Sequence, residues 1–254
     1  MITLKSENEI AKMRRAGRIV AEVLEMMRER VAPGVTTAEL NELAETVIRK
    51  HNAIPSFKGY PPGSRHPFPA SICASVNAEL VHGIPGPYVL QEGDIISVDV
   101  GAILDGYHGD AAITLPVGQV GPEVQRLLEV TEGALYAGIA AAREGNRSGD
   151  ISAAIQSYVE SRGYNVVREY TGHGIGRRMH EDPQVPNHGQ AGSGVLLRKG
   201  MTIALEPMVL TGDHRVRVLD DHWTVVSCDG ELTAHFEHTF AITNGDAEIL
   251  TRLD

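Results

Sequence analysis

The spacing of apolar residues in the first fifth of the chain predicts two amphipathic helices. The pattern SENE, which starts at Ser6, is a capping box, and helical spacing continues from it to Val31, just before Pro33-Gly34. A second capping box, TTAE, starts at Thr36. The helix that follows presents one apolar face, formed by Leu40, Leu43, Val47 and Ile48.

The pattern then changes from helical to extended. Residues 53–70 are rich in Pro, Gly, Tyr and Phe and predict an ordered loop. Residues 71–80 predict a strand. Within residues 94–115, two apolar runs flank Asp105-Gly106, and Asp-Gly between apolar runs is the strongest short-range signal for a β-hairpin.

This predicted hairpin places two carboxylates on one face. If Asp105-Gly106 is a two-residue loop, Asp110 lies opposite Gly101, which is two positions beyond Asp99. Asp99 and Asp110 are then diagonal neighbours, roughly 7–8 Å apart at Cα. Two buried carboxylates at this distance repel each other, so a positive charge is expected between them.

The second half of the chain repeats the order of the first half. Residues 122–144 predict a helix that ends at Gly145-Asn146, and a further helix starts at Ser148 and ends before Gly163. Four segment pairs then resemble each other in the same order: PGVTTAEL and EGNRSGDI, VHGIPG and GHGIGR, QEGDIISVDV and RKGMTIALEP, DAAITLPVG and EHTFAITNG. Two long repeats, rather than many short ones, predict a pseudo-twofold α+β domain with a site on its axis.

The repeat aligns Asp99 with Glu206 and Asp110 with Glu237, and it places His82 against His173. Four buried carboxylates need about four positive charges, and no Lys or Arg occupies the equivalent strand positions. Two divalent ions would supply this charge, and carboxylate oxygens with an imidazole suit Mn, Fe, Co or Zn. A pair of such ions polarises a carbonyl and generates hydroxide, so hydrolysis is the expected reaction class.

Each of these residues also has a simpler interpretation. An Asp in an apolar run is more often a turn former, a capped polar group or an ion-pair partner than a metal ligand, and Asp99 alone does not require a metal. Glu206 precedes Pro207, which favours extended backbone, but Glu206 alone could be an edge residue. Glu237 alone could face solvent. The hairpin geometry and the repeat favour the metal interpretation.

The histidines other than His82 fall into four groups. His108 shares the Asp110 face of the hairpin and is expected near the site without binding the metal. His173 and His180 lie seven residues apart in a glycine-rich segment, so one can bind metal while the other approaches substrate. His238 points away from Glu237. Six others are expected at the surface or in loops: His51, His66, His188, His214, His222 and His235.

Composition restricts the class of protein. The 254 residues have a formal charge of −10 and a pI near 5.5, which argues against nucleic acid as the main partner. Two cysteines, Cys73 and Cys228, without CxxC spacing suit a reduced, cytoplasmic protein with no disulfide framework. The N-terminus has no signal-peptide core, and no apolar run is as long as a membrane span.

Five motifs spread over the chain resemble those of a type I methionine aminopeptidase of the short form: HGIPG, DVGAILDGYHGD, TGHGIGRRMHEDPQV, LEPMV and FEHT. The resemblance implies the pita-bread fold, an α+β domain with a pseudo-twofold central antiparallel sheet and helices on its outer face. It implies one catalytic domain over residues 1–254, with halves of about 1–118 and 119–254. It implies removal of the initiator methionine from nascent proteins when the second residue is small.

The resemblance also implies a role for each site residue. The ligands of two divalent ions (Co, Mn, Fe or Zn) would be Asp99, Asp110, His173, Glu206 and Glu237, with Asp110 and Glu237 bridging both ions. Glu206 would also move the proton of the attacking water, and His180 would stabilise the developing oxyanion. His82 would lie near the scissile amide nitrogen.

The methionine pocket implied by the resemblance contains Tyr60, Phe68, Cys73 and Trp223, with Phe57 and Met179 at two further wall positions, and His82 and His180 also touch substrate. Three features depart from the pattern of many bacterial members. Met179 replaces an aromatic residue, Phe57 replaces a small residue or Cys, and the loop from Tyr60 to Cys73 is several residues longer. Both replacements remain compatible with methionine.

The implied partners are the N-terminal methionine of nascent polypeptides and, transiently, the ribosome, with a monomeric protein in the cytoplasm and no membrane or nucleic-acid function. Two other hypotheses share the fold. Proline-directed peptidases and creatine-type hydrolases usually have an extra N-terminal domain, whereas this chain starts at the catalytic helices. Metal-free interaction proteins on this fold lose ligands, whereas all five are present here.

Overall fold

The computed structural model describes residues 2–253, so residues 1 and 254 of the expected domain lie outside the described part. These residues form four helices: α1 Glu7–Arg30, α2 Thr37–Lys50, α3 Pro122–Ala141 and α4 Ser148–Glu160. Both predicted capping boxes are present, at Ser6 and at Thr36. The third helix ends three residues earlier than predicted, because Ala142 leaves the helical conformation.

The described residues also form fifteen strands, five after α2 and ten after α4: β1 Ile54–Pro55, β2 Ile72–Val76, β3 Glu79–Val81, β4 Ile95–Leu104, β5 Tyr107–Pro116, β6 Asn165–Val166, β7 Thr171–Gly174, β8 Glu181–Pro186, β9 Thr202–Leu205, β10 Met208–Leu210, β11 Val216–Val218, β12 Val225–Ser227, β13 Thr233–His235, β14 Glu237–Ala241 and β15 Glu248–Ile249. Nine of them form one antiparallel sheet. Its main path is β1-β4-β5-β14-β9-β7-β8, while β2 pairs with β4 and β15 with β14.

The sheet has the predicted pseudo-twofold arrangement. Strand β4 pairs with β5 in the first half, β9 pairs with β14 in the second half, and β5 pairs with β14 across the centre. The expected boundary between the halves, near residue 118, falls in the connection between β5 and α3. Residues from both halves therefore meet along the β5–β14 seam.

The predicted hairpin is confirmed in its register. Asp110 lies opposite Gly101, and Asp105 and Gly106 both have positive φ, at 51° and 76°, as a two-residue turn of this kind requires. On β5, a Cβ added to Gly109 would lie 2.7 Å from the Gly17 nitrogen of α1. Since neighbouring strand residues face opposite sides, Gly109 points toward the helices and Asp110 points away from them.

Residues 71–80 were expected to form one strand, and that prediction was wrong. The chain turns at Asn77, which adopts a left-handed φ of 55°, and so divides the segment into β2 and β3. Asn tolerates this conformation better than most residues. Its side chain is also held in place, since Oδ1 accepts a hydrogen bond from the Ile95 amide at 3.0 Å and Nδ2 donates to Asp94 at 2.8 Å.

None of the helices within residues 2–253 combines the length and the apolar character needed to cross a bilayer. The core lies mainly between the large sheet and the helices. It is built from apolar residues of α1, α3 and the central strands, including Val20, Val98, Leu135 and Phe240.

Candidate active site

A cavity of about 130 Å³ opens on the face of the sheet that Asp110 occupies. The residues that line it are the residues that the sequence singled out for the site: Phe57, Tyr60, Phe68, Cys73, His82, Asp99, Asp110, His173, Met179, His180, Glu206, Trp223 and Glu237. The fold thus brings together side chains that are far apart along the chain. Acidic residues and histidines lie beside an apolar wall in this cavity.

Neighbouring strands of the sheet supply the acidic residues. Asp99 lies on β4, Asp110 on β5 and Glu237 on β14, while Glu206 directly follows β9 and His173 lies on β7. Because these strands are consecutive in the sheet, the five side chains form one row across it. Strand β9 ends at Leu205, and Pro207 keeps the backbone of Glu206 extended. The Glu206 side chain therefore lies just beyond the end of the strand.

The donor atoms of this row converge. His173 Nε2 lies 3.6 Å from Glu206 Oε1 and 3.9 Å from Asp110 Oδ2. One donor atom from each of Asp110, His173 and Glu237 can be chosen so that all three lie within 4.8 Å of one another. Carboxylate oxygens and one imidazole nitrogen at such spacing can bind one or more divalent ions of the first transition row.

The carboxylates of the row lack enough hydrogen-bond partners. Asp99 Oδ1, Asp110 Oδ1 and Glu237 Oε1 are buried without any. Burial raises the pKa of Asp99 to about 7. Burial first, and the neighbouring carboxylates second, raise the pKa values of Asp110, Glu206 and Glu237 well above the usual range. Ionisation of these carboxylates requires compensating positive charge, so the site favours cations.

His173 is prepared to act as a neutral ligand. Its Nδ1–H donates to the carbonyl of Gly174 at 2.9 Å, so Nε2 has a free lone pair facing the carboxylates. Burial, and then the nearby His180, lower the pKa of His173 to about 3. A backbone hydrogen bond on the second ring nitrogen is the usual way in which proteins orient a metal-binding imidazole.

Two further histidines line the cavity without joining the acidic row. The His180 ring lies 4.3 Å from the His173 ring, and His180 Nδ1 is 2.6 Å from the Tyr60 hydroxyl. His82 packs against Trp223 at 6.0 Å and has a positive φ of 60°, an uncommon conformation that is found at functional sites. Burial lowers the pKa of both imidazoles, for His82 to about 4, so both are neutral near pH 7.

The other side of the cavity is apolar. Phe57, Phe68, Cys73 and Met179 are buried together in one cluster, and Tyr60 and Trp223 pack against them. The Phe68 ring meets Phe57 and Trp223 edge to face, at 6.5 Å and 5.2 Å between ring centroids. The Trp223 Nε1–H donates to the carbonyl of His66, which ties the long loop to this wall.

Known proteins share this architecture. A model of metallopeptidase family M24 matches residues 11–244. The chain belongs to this family. The chain is 53% identical to methionine aminopeptidase 1 of Bacillus subtilis over 253 residues, which are 100% of each chain. It is also similar to a crystal structure of methionine aminopeptidase from Thermotoga maritima, with a TM-score of 0.96, 48% identity and 100% of each chain covered.

More distant M24 structures share the fold alone. The prolidase of Pyrococcus horikoshii has a TM-score of 0.79 and 21% identity, and the match covers 99% of this chain but 64% of that one. The pita-bread fold expected from the sequence is therefore confirmed. Metallopeptidase chemistry also agrees with the unpartnered carboxylate oxygens, since the M24 chain provides oxygen and nitrogen donors that suit a divalent ion.

His235 of this M24 chain was expected at the surface, and that expectation was wrong. The residue is 1% exposed, and its Nε2 lies 3.9 Å from Glu206 Oε2 and 4.0 Å from Glu237 Oε2. Burial lowers its pKa to about 3. The sequence did contain a signal for its position: side chains alternate between the two sides of an extended chain, so His235, two positions from Glu237, lies on the same side as Glu237. Sequence spacing alone could not show that this side is buried here.

Proposed function

We propose that this M24 protein removes the N-terminal methionine from nascent proteins and peptides whose second residue is small. Relatives of matching length and more than half identical in sequence are named methionine aminopeptidases. The observation that supports the proposal best is the shape of the cavity. It combines an acidic row with an apolar wall in a single space, which suits hydrolysis beside an unbranched apolar side chain.

Five residues of the row would hold two divalent ions, either Co, Mn, Fe or Zn: Asp99, Asp110, His173, Glu206 and Glu237. Asp110 and Glu237 would contact both ions, because they lie on the two central strands β5 and β14. Asp99 would serve one ion, and His173 with Glu206 the other. When bound, the ions supply a Lewis acid for the scissile carbonyl and lower the pKa of a water molecule.

The side chains around the row would carry out the remaining steps. A carboxylate oxygen of Glu206 accepts the proton of the attacking water. The neutral His180 donates from Nε2–H to the developing oxyanion, and this tautomer is the one present when the Tyr60 hydroxyl donates to Nδ1. His82 faces the amide nitrogen of the leaving residue, as a hydrogen-bond partner or proton relay.

The apolar wall would select methionine. Phe57, Phe68 and Met179 surround a slot that an unbranched thioether can enter, and methionine adapts to irregular apolar surroundings. Cys73 and Trp223 complete the wall, and Tyr60 lies at its junction with His180. The free amino group of the substrate would bind at the acidic row, which limits attack to the first peptide bond.

We further propose that residues 1–254 act as one catalytic domain with halves near 1–118 and 119–254. The protein would work as a monomer in the cytoplasm and contact the ribosome transiently to meet its substrates. The β5–β14 seam supports the single domain, because ligands from both halves face the same cavity.

A peptide assay tests the proposed function. Chelator-treated protein should leave Met-Gly and Met-Ala peptides intact, and added Mn or Co should restore release of methionine. Metal analysis of anaerobically purified protein should give two ions per chain. Cleavage of Xaa-Pro peptides, without cleavage of the methionine peptides, would contradict the proposal and favour a proline-directed peptidase.

A further inference from the structure

Lys5 and Glu181 form an ion pair that is almost completely removed from solvent. Lys5 Nζ lies 2.7 Å from Glu181 Oε2, and the two side chains are 3% and 8% exposed. By contrast, the arginine of the Arg14–Glu248 pair is 43% exposed. Burial opposes the ionisation of Glu181, but the Lys5 ammonium and the Arg178 and Arg177 amides outweigh it and lower the pKa of Glu181, so this carboxylate is ionised near neutral pH. A buried charged pair of this kind is costly to break from one side.

The pair joins two distant segments. Lys5 precedes α1, and its amide donates to the Gly200 carbonyl at 2.7 Å. Glu181 is the first residue of β8 and directly follows His180. Lys5 is therefore fixed through its backbone to the loop before β9 and through its side chain to the turn formed by residues 176–181, here called the His180 turn.

The His180 turn is folded around this pair. Glu181 Oε1 accepts a hydrogen bond from the Arg178 amide at 3.1 Å. A Cβ added to Gly176 would lie 2.6 Å from Lys5 Cε and 2.8 Å from Glu181 Oε1, so the lysine stem crosses directly over the glycine backbone. The Gly176 carbonyl also accepts from the His108 amide of β5 at 2.9 Å. The turn thus has fixed contacts with both the sheet and the N-terminal segment.

This turn presents Met179 and His180 to the cavity. The imidazole of His180 has the Tyr60 hydroxyl as its side-chain hydrogen-bond partner, at 2.6 Å. That bond orients the ring, whereas the conformation of the turn sets the position of the His180 backbone. Displacement of a catalytic group by about 1 Å can cost roughly 100-fold in rate, so whatever holds the turn also controls His180.

We infer that Lys5 is a positioning residue, which acts through Glu181 to hold the His180 turn in the geometry that the reaction needs. This inference rests on the proposed function for the role of His180. The N-terminal segment is then a functional part of the site, although Lys5 does not line the cavity. A positioning role predicts a loss of kcat rather than a loss of substrate affinity.

The test compares the metal-loaded wild type with Lys5→Met, Glu181→Gln and the double variant on a Met-Ala peptide. Lys5→Met keeps the stem over Gly176 and removes the charge. We expect kcat to fall about 10-fold or more in each single variant, with KM within about twofold and metal content unchanged. The control is Arg14→Met, which breaks an exposed ion pair made by α1 and should leave kcat unchanged.

The double variant separates positioning from stability. It leaves no buried charge unpaired, so its melting temperature should be higher than that of Lys5→Met. Its kcat should stay low, because the Lys5–Glu181 contact that holds the turn is still absent. If kcat recovers together with the melting temperature, or if Lys5→Met has wild-type kcat, Lys5 contributes stability only and the inference is overturned. Should Lys5→Met not fold, Glu181→Gln decides by the same kcat criterion.

A second measurement does not depend on peptide cleavage. In Zn-loaded protein with ¹⁵N-labelled histidine, the ring resonances of His180 are assigned by a His180→Asn variant. They should shift in Lys5→Met and remain in place in Arg14→Met. Unchanged resonances in Lys5→Met would overturn the inference, whatever the activity. Shifted resonances in a protein that cleaves no methionine peptide would support the positioning role and refute the proposed function alone.

Discussion

Asp110 and Glu237 lie on the two strands that meet at the centre of the large sheet, and each side chain is almost completely buried. Each has a buried oxygen without a hydrogen-bond partner in the structure. Their positions on β5 and β14 give them access to both ends of the acidic row. For this reason, loss of either carboxylate should affect the whole metal site rather than one part of it.

The first prediction therefore concerns Asp110→Asn and Glu237→Gln. Each substitution removes one negative charge from the centre of the row while keeping the size of the side chain. We expect the bound metal to fall from the proposed two ions to fewer than one per chain, and methionine release to fall by more than about 100-fold. Metal analysis after dialysis measures the first effect and the peptide assay the second.

The matched control is Glu42→Gln, an isosteric change at an exposed position of α2, which should leave both the metal content and the rate of methionine release unchanged. Selective loss of a single ion in Asp110→Asn or Glu237→Gln would show that the affected carboxylate does not bridge.

The second prediction concerns His235, whose Nε2 lies about equally far from Glu206 and Glu237. This buried nitrogen has no hydrogen-bond partner among the described residues, and a small movement of either carboxylate toward it would let the imidazole donate a hydrogen bond and orient that carboxylate. His235→Phe should weaken metal binding by about 10- to 100-fold, as expected for the loss of an outer partner of metal ligands. Isothermal titration with Mn measures the affinity, and His188→Phe is the control. Unaltered affinity would mean that His235 only fills space.

The sequence predicted the strand register of Asp110 correctly and the exposure of His235 wrongly, for a physical reason. Asp110 lies in a hairpin whose two-residue turn fixes the register, so local geometry decides which residues share its face. His235 ends β13 and Glu237 begins β14, which belong to different sheets. Its burial depends on how these sheets pack, and that information is not local.

At the scale of elements, α1 is attached to the sheet by its first turn. The Glu9 carboxylate accepts hydrogen bonds from the Ser6 amide at 2.9 Å and from the Tyr107 hydroxyl of β5 at 2.7 Å. The Tyr107 hydroxyl, and then Ser6, lower the pKa of Glu9 to about 2. One carboxylate thus caps the helix and joins it to the strand that contains Asp110.

The third prediction is a pH dependence that follows from this contact. The pKa of Glu9 is lower in the folded protein than its ordinary value of 4.5. The ionised Glu9 carboxylate therefore contributes fully to stability above about pH 4.5, and this contribution is lost as the pH falls toward about 2. The difference in unfolding free energy between wild type and Glu9→Gln should be largest near neutral pH and smaller in acid. Urea unfolding at about pH 7 and about pH 4 measures it.

Glu7→Gln is the control for this series. Glu7 lies in the same turn of α1, but its side chain is 91% exposed and its partner Lys199 is 3.8 Å away. The unfolding free energy of Glu7→Gln should differ little from that of the wild type at both pH values. If the difference in unfolding free energy between wild type and Glu9→Gln did not change with pH, the hydrogen bonds to ionised Glu9 would not be its cause.

Elements were predictable where a local signal exists. The capping boxes fixed the starts of α1 and α2, and Asp105-Gly106 fixed the hairpin. The turn at Asn77 was missed because its neighbours are apolar and give no loop signal. The two three-stranded sheets were also missed, since β10 pairs with strands from distant parts of the chain.

At the scale of the whole molecule, the acidic row lies across the seam between the halves. Asp99 and Asp110 come from the first half, and His173, Glu206 and Glu237 come from the second. Cations bound there would therefore hold the halves together. The repeat in the sequence predicted a pseudo-twofold domain with a site on its axis, and the strand order β4-β5-β14-β9 agrees with such an axis.

The fourth prediction is that metal removal destabilises the whole fold rather than one loop. Without cations, the four carboxylates lose the positive charge that stabilises their ionised forms in a buried site. Added Mn at about 100 times its Kd should raise the free energy of unfolding by about 2.7 kcal/mol. Thermal unfolding of chelated and reloaded protein measures the change. In Glu237→Gln the increase should be much smaller, and an equal increase there would show that Mn stabilises the protein elsewhere.

The contact between Gly17 and Gly109 has a consequence for the variation that this sequence can tolerate. Helix α1 and strand β5 meet main chain to main chain at this point, with no side chain between them. The spacing of helix and sheet behind Asp110 is therefore set by backbone atoms and does not change when other core residues are exchanged. In a library that randomises both positions, active clones should retain glycine at each: Gly109 because a Cβ would collide with the Gly17 backbone, and Gly17 because a Cβ would collide with the Leu250 carbonyl. Surrounding core positions should accept other apolar residues of similar volume.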